Sequence, residues 1–350
     1  MPMKPSQLAL FLAAAITKRL PILIVGSPGI AKTSIVRQAT VMANNKLTIS
    51  HPGIADPTDA KGFPWIENGK ASFVPFGDIR ALLDSTEPTV WFMDDLGQAP
   101  AAVQASYMPW ILDRGVNGNY LPDHVTIFAA TNRRTDRAGV SGILEPVKSR
   151  FASIVELEPD LEEWGQWAIT DGAASIPPVL LAFLRFRSGY GMLNKFEASA
   201  DLKNSPIPRT WENAGKLLQL DLPAAVEQQA IAGAVGEGAA TELLAFVSMF
   251  RQLPSIDAIL VDPNAAVIPT QPNILYAVTT ALASRATDRN VQRVFRYGER
   301  LVEAGHGEFA TLLVRDVLRR KPELQQTAAF VTLMAGELGQ MIGGGAAGVR

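Results

Sequence analysis

The sequence predicts an α/β fold with a largely parallel sheet, followed by a region built from helices alone. Three observations predict it. Short, continuous apolar runs alternate with helix-period segments up to about residue 158, as in sheets covered on both faces. Strand patterns then fade after Pro159, and helical ones dominate to the end. Finally, Gly26-Ser27-Pro28-Gly29-Ile30-Ala31-Lys32-Thr33 stands between an apolar run and a helical segment, the context a phosphate-binding loop requires.

Taken in order, Pro5 to Lys18 has apolar residues at helical spacing, and Leu20 to Val25 is a buried strand ended by glycine. Ala31 to Ala43 reads as a helix and Lys46 to Ser50 as a second strand. Thr89 to Met93 and Val125 to Ala130 are two more buried strands, with a helix at Ala101 to Leu112 between them, and Ser153 to Leu157 is a shorter fifth strand. Asn68-Gly69 and Asn117-Gly118 each sit between strand-like residues and predict two hairpins inserted on one face of the sheet. Beyond Pro159, helices are expected at Leu161 to Ala168, Pro178 to Phe186, Thr210 to Leu218, Ala224 to Ala232 and Thr241 to Phe250, then at Ile274 to Ala286 and Asn290 to Gly305. The expected domains are a core over 1–158, a helical lid over 159–254, and a helical extension over 255–350 whose glycine-rich tail is flexible.

Composition removes several function classes. The 350 residues are 47% apolar and 19% charged, with a formal charge of -2. That balance argues against strong sequence-independent binding to nucleic acid. Without cysteine there is no disulfide, thiol nucleophile or cysteine-ligated zinc. The histidines His51, His124 and His306 fall in no metal-ligand spacing. The apolar run Leu8 to Ile16 superficially resembles a short signal peptide, but Thr17-Lys18-Arg19 follows where a small-residue cleavage site should be. No window approaches the roughly 18 apolar residues of a membrane span. The expectation is a soluble, cytoplasmic protein without a membrane partner.

Chemistry concentrates at the strand ends. In the loop, small residues allow backbone N–H groups and the helix N-terminus to face an anion. Lys32 is placed to reach outer phosphates and the Thr33 hydroxyl to join the shell of a magnesium ion. Ala31 replaces the second glycine of G-x-x-x-x-G-K-[ST], and a methyl is the smallest intrusion possible there. Val90-Trp91-Phe92-Met93-Asp94-Asp95 ends a buried strand in two carboxylates, Asp94 for the magnesium and Asp95 for the attacking water. At the end of the next strand, Asn132 offers an amide to that water or to the γ-phosphate.

Together these residues resemble the AAA+ ATPases, and more closely the MoxR branch. The match runs through GSPGIAKT, FMDDLGQAPAAVQASYMPWILDR, LPDHVTIFAATNR and Lys148-Ser149-Arg150-Phe151, four motifs in order over about Gln7 to Leu220. The resemblance implies an αβα core, a helical lid, and a ring, usually a hexamer, with ATP and magnesium between subunits. Lys32 and Thr33 then look like the Walker A pair, with Gly26 to Ser34 as the nucleotide loop. Asp94 looks like the Walker B ligand, with Asp95 as its catalytic partner, and Asn132 like sensor 1. Arg150 is similar to an arginine finger, with Arg137 as fallback, and Arg209 in Ile207-Pro208-Arg209-Thr210-Trp211 to a sensor 2 arginine. MoxR-type proteins often act on a partner carrying a von Willebrand factor A domain, so the implied activity is ATP-driven remodelling of a partner protein.

Two departures bear on turnover. Asp95 stands where the family has glutamate, on the order of 1.5 Å less reach, and an error of that size costs roughly a hundredfold in rate. Gly97 stands where the family has asparagine. Two other uses of the same engine stay open: a DNA-acting motor or loader, and a nucleotide-gated scaffold with little turnover. Phe63, Trp65 and Tyr120 on the hairpins have two readings, gripping a client at a pore or packing on their own hairpins, and packing is favoured. The basic cluster Arg133-Arg134-Arg137 reads equally as a phosphate contact or a solvated loop.

Overall fold

The computed structural model describes residues 1–67, 69–136, 142–198, 202–251, 253 and 255–346. The chain divides into two compact units, Met1–Asp160 with Phe196–Ala200, and Leu161–Lys195 with Asp201–Arg350.

In the first unit, α1 (Pro5–Thr17) leads into β1 (Ile22–Val25), α2 (Lys32–Met42) and β2 (Lys46–Ser50). A 3-10 turn at Pro52–Ile54 and α3 (Pro57–Lys61) precede the hairpin strands β3 (Phe63–Glu67) and β4 (Lys70–Val74). Then come α4 (Gly77–Leu83), β5 (Thr89–Met93), α5 (Ala101–Leu112), the short hairpin β6 (Gly115–Val116) and β7 (Asn119–Tyr120), β8 (Val125–Thr131), α6 (Glu145–Lys148) and β9 (Ser153–Glu156). The sheet order is β2-β5-β8-β1-β9, and every neighbouring pair is parallel. This is the α/β class with a parallel sheet that the apolar runs predict.

The runs are continuous because both faces are covered. Along β5 and β8, alternate side chains enter two different cores. Trp91, Met93, Ile127 and Ala129 pack with Val103, Tyr107 and Trp110 of α5. Val90, Phe92, Phe128 and Ala130 pack with Leu8 and Leu12 of α1 and Val36 and Ala39 of α2. Each large side chain buried in this way stabilises the fold by about 1.5–3 kcal/mol before entropy is counted. The pairing register aligns the carboxyl ends: Ser50 opposite Met93, and Val25 between Thr131 and Glu156. Sequence periodicity missed α3 and α4, which are too short to show a period and rest on local signals. Asp56 caps α3 by accepting from Thr58 N (2.9 Å), while Asp59 accepts from Asp56 N (2.7 Å).

Both expected hairpins form. Asn68 lies outside the described residues, and Gly69 takes φ +74 in the turn. The favoured packing of the aromatics does not hold for β3, where Phe63 and Trp65 are each 57% exposed. A two-stranded ribbon has too little surface of its own to cover two large rings. Tyr120 does lie across its hairpin, since a Cβ at Gly115 would stand 2.3 Å from the Tyr120 ring, yet its outer face is open.

Among the described residues the second unit is helical throughout. It runs from α7 (Leu161–Ile169), α8 (Pro178–Phe186), α9 (Pro208–Leu217), α10 (Ala224–Val235), α11 (Glu237–Arg251) and α12 (Ile256–Val261) to α13 (Pro272–Arg285), α14 (Val291–Glu303), α15 (Gly307–Arg320), α16 (Ala328–Ala335) and α17 (Glu337–Ala346). Two cores fill it. One holds Phe183, Trp211 and Phe246, the other Phe295, Tyr297 and Leu313. Helix α13 serves both, giving Ala277 to the first and Leu275 and Val278 to the second. A buried, two-pronged ion pair from Arg185 on α8 to Asp316 on α15 (2.5 and 3.0 Å) ties the same regions together. No helix among the described residues is long and apolar enough to cross a membrane.

Candidate functional site

The carboxyl edge of the parallel sheet gathers the residues that carry chemistry. The loop leaves β1 at Gly26, whose N–H donates to the Thr131 carbonyl of β8 (3.2 Å). A Cβ at Gly26 would meet Ile30 Cδ1 at 2.6 Å and the Leu157 carbonyl oxygen at 3.1 Å, so only glycine lets the loop pass the end of β9. Ser27 is 1% exposed and Ile30 drops into the core beneath α1, while Pro28 is half-buried and Ser34 points outward from α2.

Lys32 opens α2 and turns back under the loop. Its Nζ donates to the carbonyls of Gly26 (2.8 Å) and Ser27 (3.0 Å) and to Asn132 Oδ1 (2.7 Å). Thr33 Oγ1 donates to Asp94 Oδ2 (2.6 Å). Lys32, Thr33, Asp94 and Asn132, from three separate stretches of chain, therefore meet at one place. A hydroxyl and a carboxylate side by side are hard oxygen donors of the kind magnesium takes together with phosphate oxygens and water. Among the described residues no group of three or more His, Asp or Glu side chains could hold a metal by itself.

Two non-glycine residues here adopt left-handed backbone. Ala31, the residue before Lys32, has φ +73 and ψ 26. The missing glycine thus matters through backbone angle rather than space, at a cost of about 1–2 kcal/mol. Ala31→Gly is accordingly expected to leave stability unchanged or raise it by up to about 1 kcal/mol, since relieved strain offsets the extra chain entropy. Chemical denaturation checks this; a loss of about 1 kcal/mol, the usual penalty of glycine in a helix, would count against a strained Ala31. Asp95 has φ +56 and ψ 36 and starts the 3-10 turn Leu96–Gln98. That geometry re-aims the chain just after Asp94. Gly97 has its own reason: a Cβ there would stand 2.1 Å from Thr131 Oγ1, so no asparagine fits without displacing the residue before Asn132.

Arg133 is the residue the sequence left ambiguous. Its guanidinium donates to Ser27 Oγ in the loop, to Glu156 Oε1 of β9 (2.9 Å) and, more weakly, to Asp136 (3.5 Å). It holds the loop through the Ser27 side chain, where Lys32 holds it through the carbonyls of Gly26 and Ser27. Its position directly after Asn132 was the available signal. The rest of the basic cluster does not share this role in what is described, since Arg134 is exposed and Arg137 lies outside the described residues.

Arg150 follows α6, which runs from Glu145 to Lys148. Its Nη1 donates to the Pro146 carbonyl (2.5 Å), and its Nε is buried without a partner. Arg209 belongs to the helical unit. It is exposed at the second position of α9, whose start is held by Ile207 N donating to Thr210 Oγ1 (2.9 Å).

No family model matches the chain, and neither does any curated protein. Solved structures do. The Holliday junction branch migration motor RuvB of Thermotoga maritima is 20% identical over 86% of each chain, with a TM-score of 0.37. NtrX from Brucella abortus in complex with ATP is 14% identical over 98% of this chain and 68% of its own, with a TM-score of 0.42. The same protein in complex with ADP is 15% identical over 92% of this chain and 68% of its own, with a TM-score of 0.41. At these identities and scores function has to be argued from the residues themselves.

Proposed function

We propose that this chain is a MoxR-type AAA+ ATPase that binds ATP with magnesium and couples hydrolysis, in a ring of identical subunits, to remodelling of a partner protein. The observation that carries the reading is the convergence of Lys32 with Asn132 and of Thr33 with Asp94. These are the contacts a phosphate-binding loop needs if one segment is to hold the phosphates and others the metal and water.

The residues divide the work. Loop N–H groups and the start of α2 receive phosphate oxygens. A phosphate oxygen reaching Lys32 competes with Asn132 Oδ1 for its ammonium, and that exchange frees the Asn132 amide to orient water. Thr33 and Asp94 would hold magnesium, which would supply neutralising charge. Asp95 accepts the proton of the attacking water, Arg150 serves the site of a neighbouring subunit, and Arg209 contacts the nucleotide of its own. The partner carrying a von Willebrand factor A domain and the hexameric ring belong to this same proposal.

The test is ATP hydrolysis per subunit over roughly a hundredfold range of protein concentration, since a shared site gains activity as subunits associate. A rate proportional to protein at every concentration, in a chain that stays monomeric, would remove the ring.

Asp95 favours a second reading, a nucleotide-gated scaffold with slow turnover. Its carboxylate is one methylene shorter than the family's and stands on left-handed backbone. Asp95→Glu is expected to raise turnover, by up to about a hundredfold if reach alone is limiting, with ATP affinity little changed. If the wild type is already brisk and the variant no faster, the scaffold reading is wrong.

A further inference from the structure

Beside β2, at the edge of the first unit, lies an open cleft of about 310 Å³ that the nucleotide site does not use. Its polar groups are Ser50, His51, Asp59, Asp78 and Tyr107, with Phe76 and Ile54 as apolar wall. The carboxylates are held in place. Trp91 Nε1 donates to Ser50 Oγ (2.9 Å), and an indole can only donate, so the Ser50 proton must go on to Asp78 Oδ2 (2.8 Å). Asp59 is fixed by its bond from Asp56 N.

Tyr107 is only 3% exposed, lines the cleft, and its hydroxyl has no hydrogen-bond partner among the described residues. Burial, with the charges of Asp59 and Asp78, pushes its hydroxyl up to about 12, so it stays neutral and able to accept as well as donate. Two carboxylates and an unpartnered hydroxyl facing one space select a cation. Among the described residues no group of three His, Asp or Glu side chains could hold a metal, which points to an organic cation.

The surroundings indicate what carries that cation. Two residues before Phe76 the chain is Val74 of β4, and on the β3–β4 hairpin Trp65, Ile66 and Phe73 are 57%, 73% and 42% exposed, Trp65 on one face and Ile66 and Phe73 on the other. A charged hole beside exposed aromatic and aliphatic side chains suits a basic residue presented by a polypeptide with apolar neighbours.

We propose that this cleft seats a lysine or arginine side chain of a polypeptide partner, and that Ser50 transmits its occupancy to the nucleotide site. The link is short. Ser50 Oγ binds Asp78, while the Ser50 carbonyl accepts from Asp94 N (2.9 Å). The turn after Ser50 also touches the Asp95 turn, since a Cβ at Gly53 would stand 3.9 Å from the Asp95 carbonyl oxygen. The seat stands by itself, whereas its effect on turnover rests on the ATPase reading.

The test is fluorescence anisotropy of a labelled acetyl-Ala-Leu-Arg-Phe-Ala amide with the full chain, without nucleotide. Replacing the peptide's arginine by norleucine, or the protein's carboxylates by Asp59→Asn with Asp78→Asn, is expected to weaken binding by about tenfold or more. Tyr107→Phe should weaken it by a smaller factor. The asparagines keep the acceptors that Asp56 N and Ser50 need, and unchanged thermal melting confirms the fold. Equal binding of both peptides, or unchanged binding by the double variant, overturns the seat. Competition by N-acetylarginine amide at the peptide's own concentration overturns the polypeptide assignment. In a second arm, saturating arginine peptide should change ATP turnover of the wild type and not of the double variant. Binding with no effect on measurable turnover ends the coupling. A chain that binds the peptide but hydrolyses no ATP ends the ATPase reading and leaves the seat.

Discussion

Lys32→Ala is expected to abolish function at the nucleotide site, lowering kcat/KM for ATP by about 10²–10³ or more, the range measured when one donor to developing charge is removed. The ammonium is placed for this. It is buried at 7% exposure, so its interactions are little screened, and its bonds to Gly26, Ser27 and Asn132 hold it beneath the loop where phosphates would lie. Because the same ammonium also fixes Asn132, binding and turnover should fall together rather than KM alone. Stability is expected to move less. Three acceptors lose a donor, but a desolvated charge is removed as well, and the two terms oppose each other. Calorimetric titration with ATP and magnesium, beside a turnover assay and a melting curve, separates these effects. A variant that binds and hydrolyses ATP like the wild type would show that the convergence at Lys32 is structural only.

The parts of this site that sequence reveals are those fixed by local pattern. The loop between β1 and α2 shows itself through glycine and lysine spacing, and β5 and β8 through apolar runs that burial on two faces demands. Asp94 and Asn132 follow, because they sit where such runs end. What stayed hidden depends on contacts between distant residues. That Arg133 holds Ser27 and that Gly97 is forced by Thr131 are contacts between separate segments, invisible to any window of sequence. The hairpin aromatics misled for a related reason: large rings are usually buried, but β3 and β4 have no layer over them within this unit. The cleft of Ser50, Asp59, Asp78 and Tyr107 is assembled from four segments, and no spacing within any one of them announces it.

Arg150→Ala is the second large effect, an expected fall of about 10³ or more in turnover, the scale of a guanidinium that stabilises transferring phosphate. ATP affinity should change far less, because the interaction is made chiefly in the transition state. The side chain is free for such a task, with Nη1 on the Pro146 carbonyl, Nε unpartnered, and no hydrogen bond to the loop of its own chain among the described residues. Mixing decides whether it acts across an interface. Neither Lys32→Ala nor Arg150→Ala subunits should turn over alone. Where they assort randomly in one ring, roughly a quarter of interfaces pair an intact Lys32 with an intact neighbouring Arg150, and activity should return in that proportion. A mixture as inactive as its components, formed under conditions where the subunits demonstrably exchange, would place Arg150 in the site of its own chain or outside the chemistry. Recovery would instead show that one complete site needs two copies of the chain, which is the physical basis for passing the effect of hydrolysis from subunit to subunit.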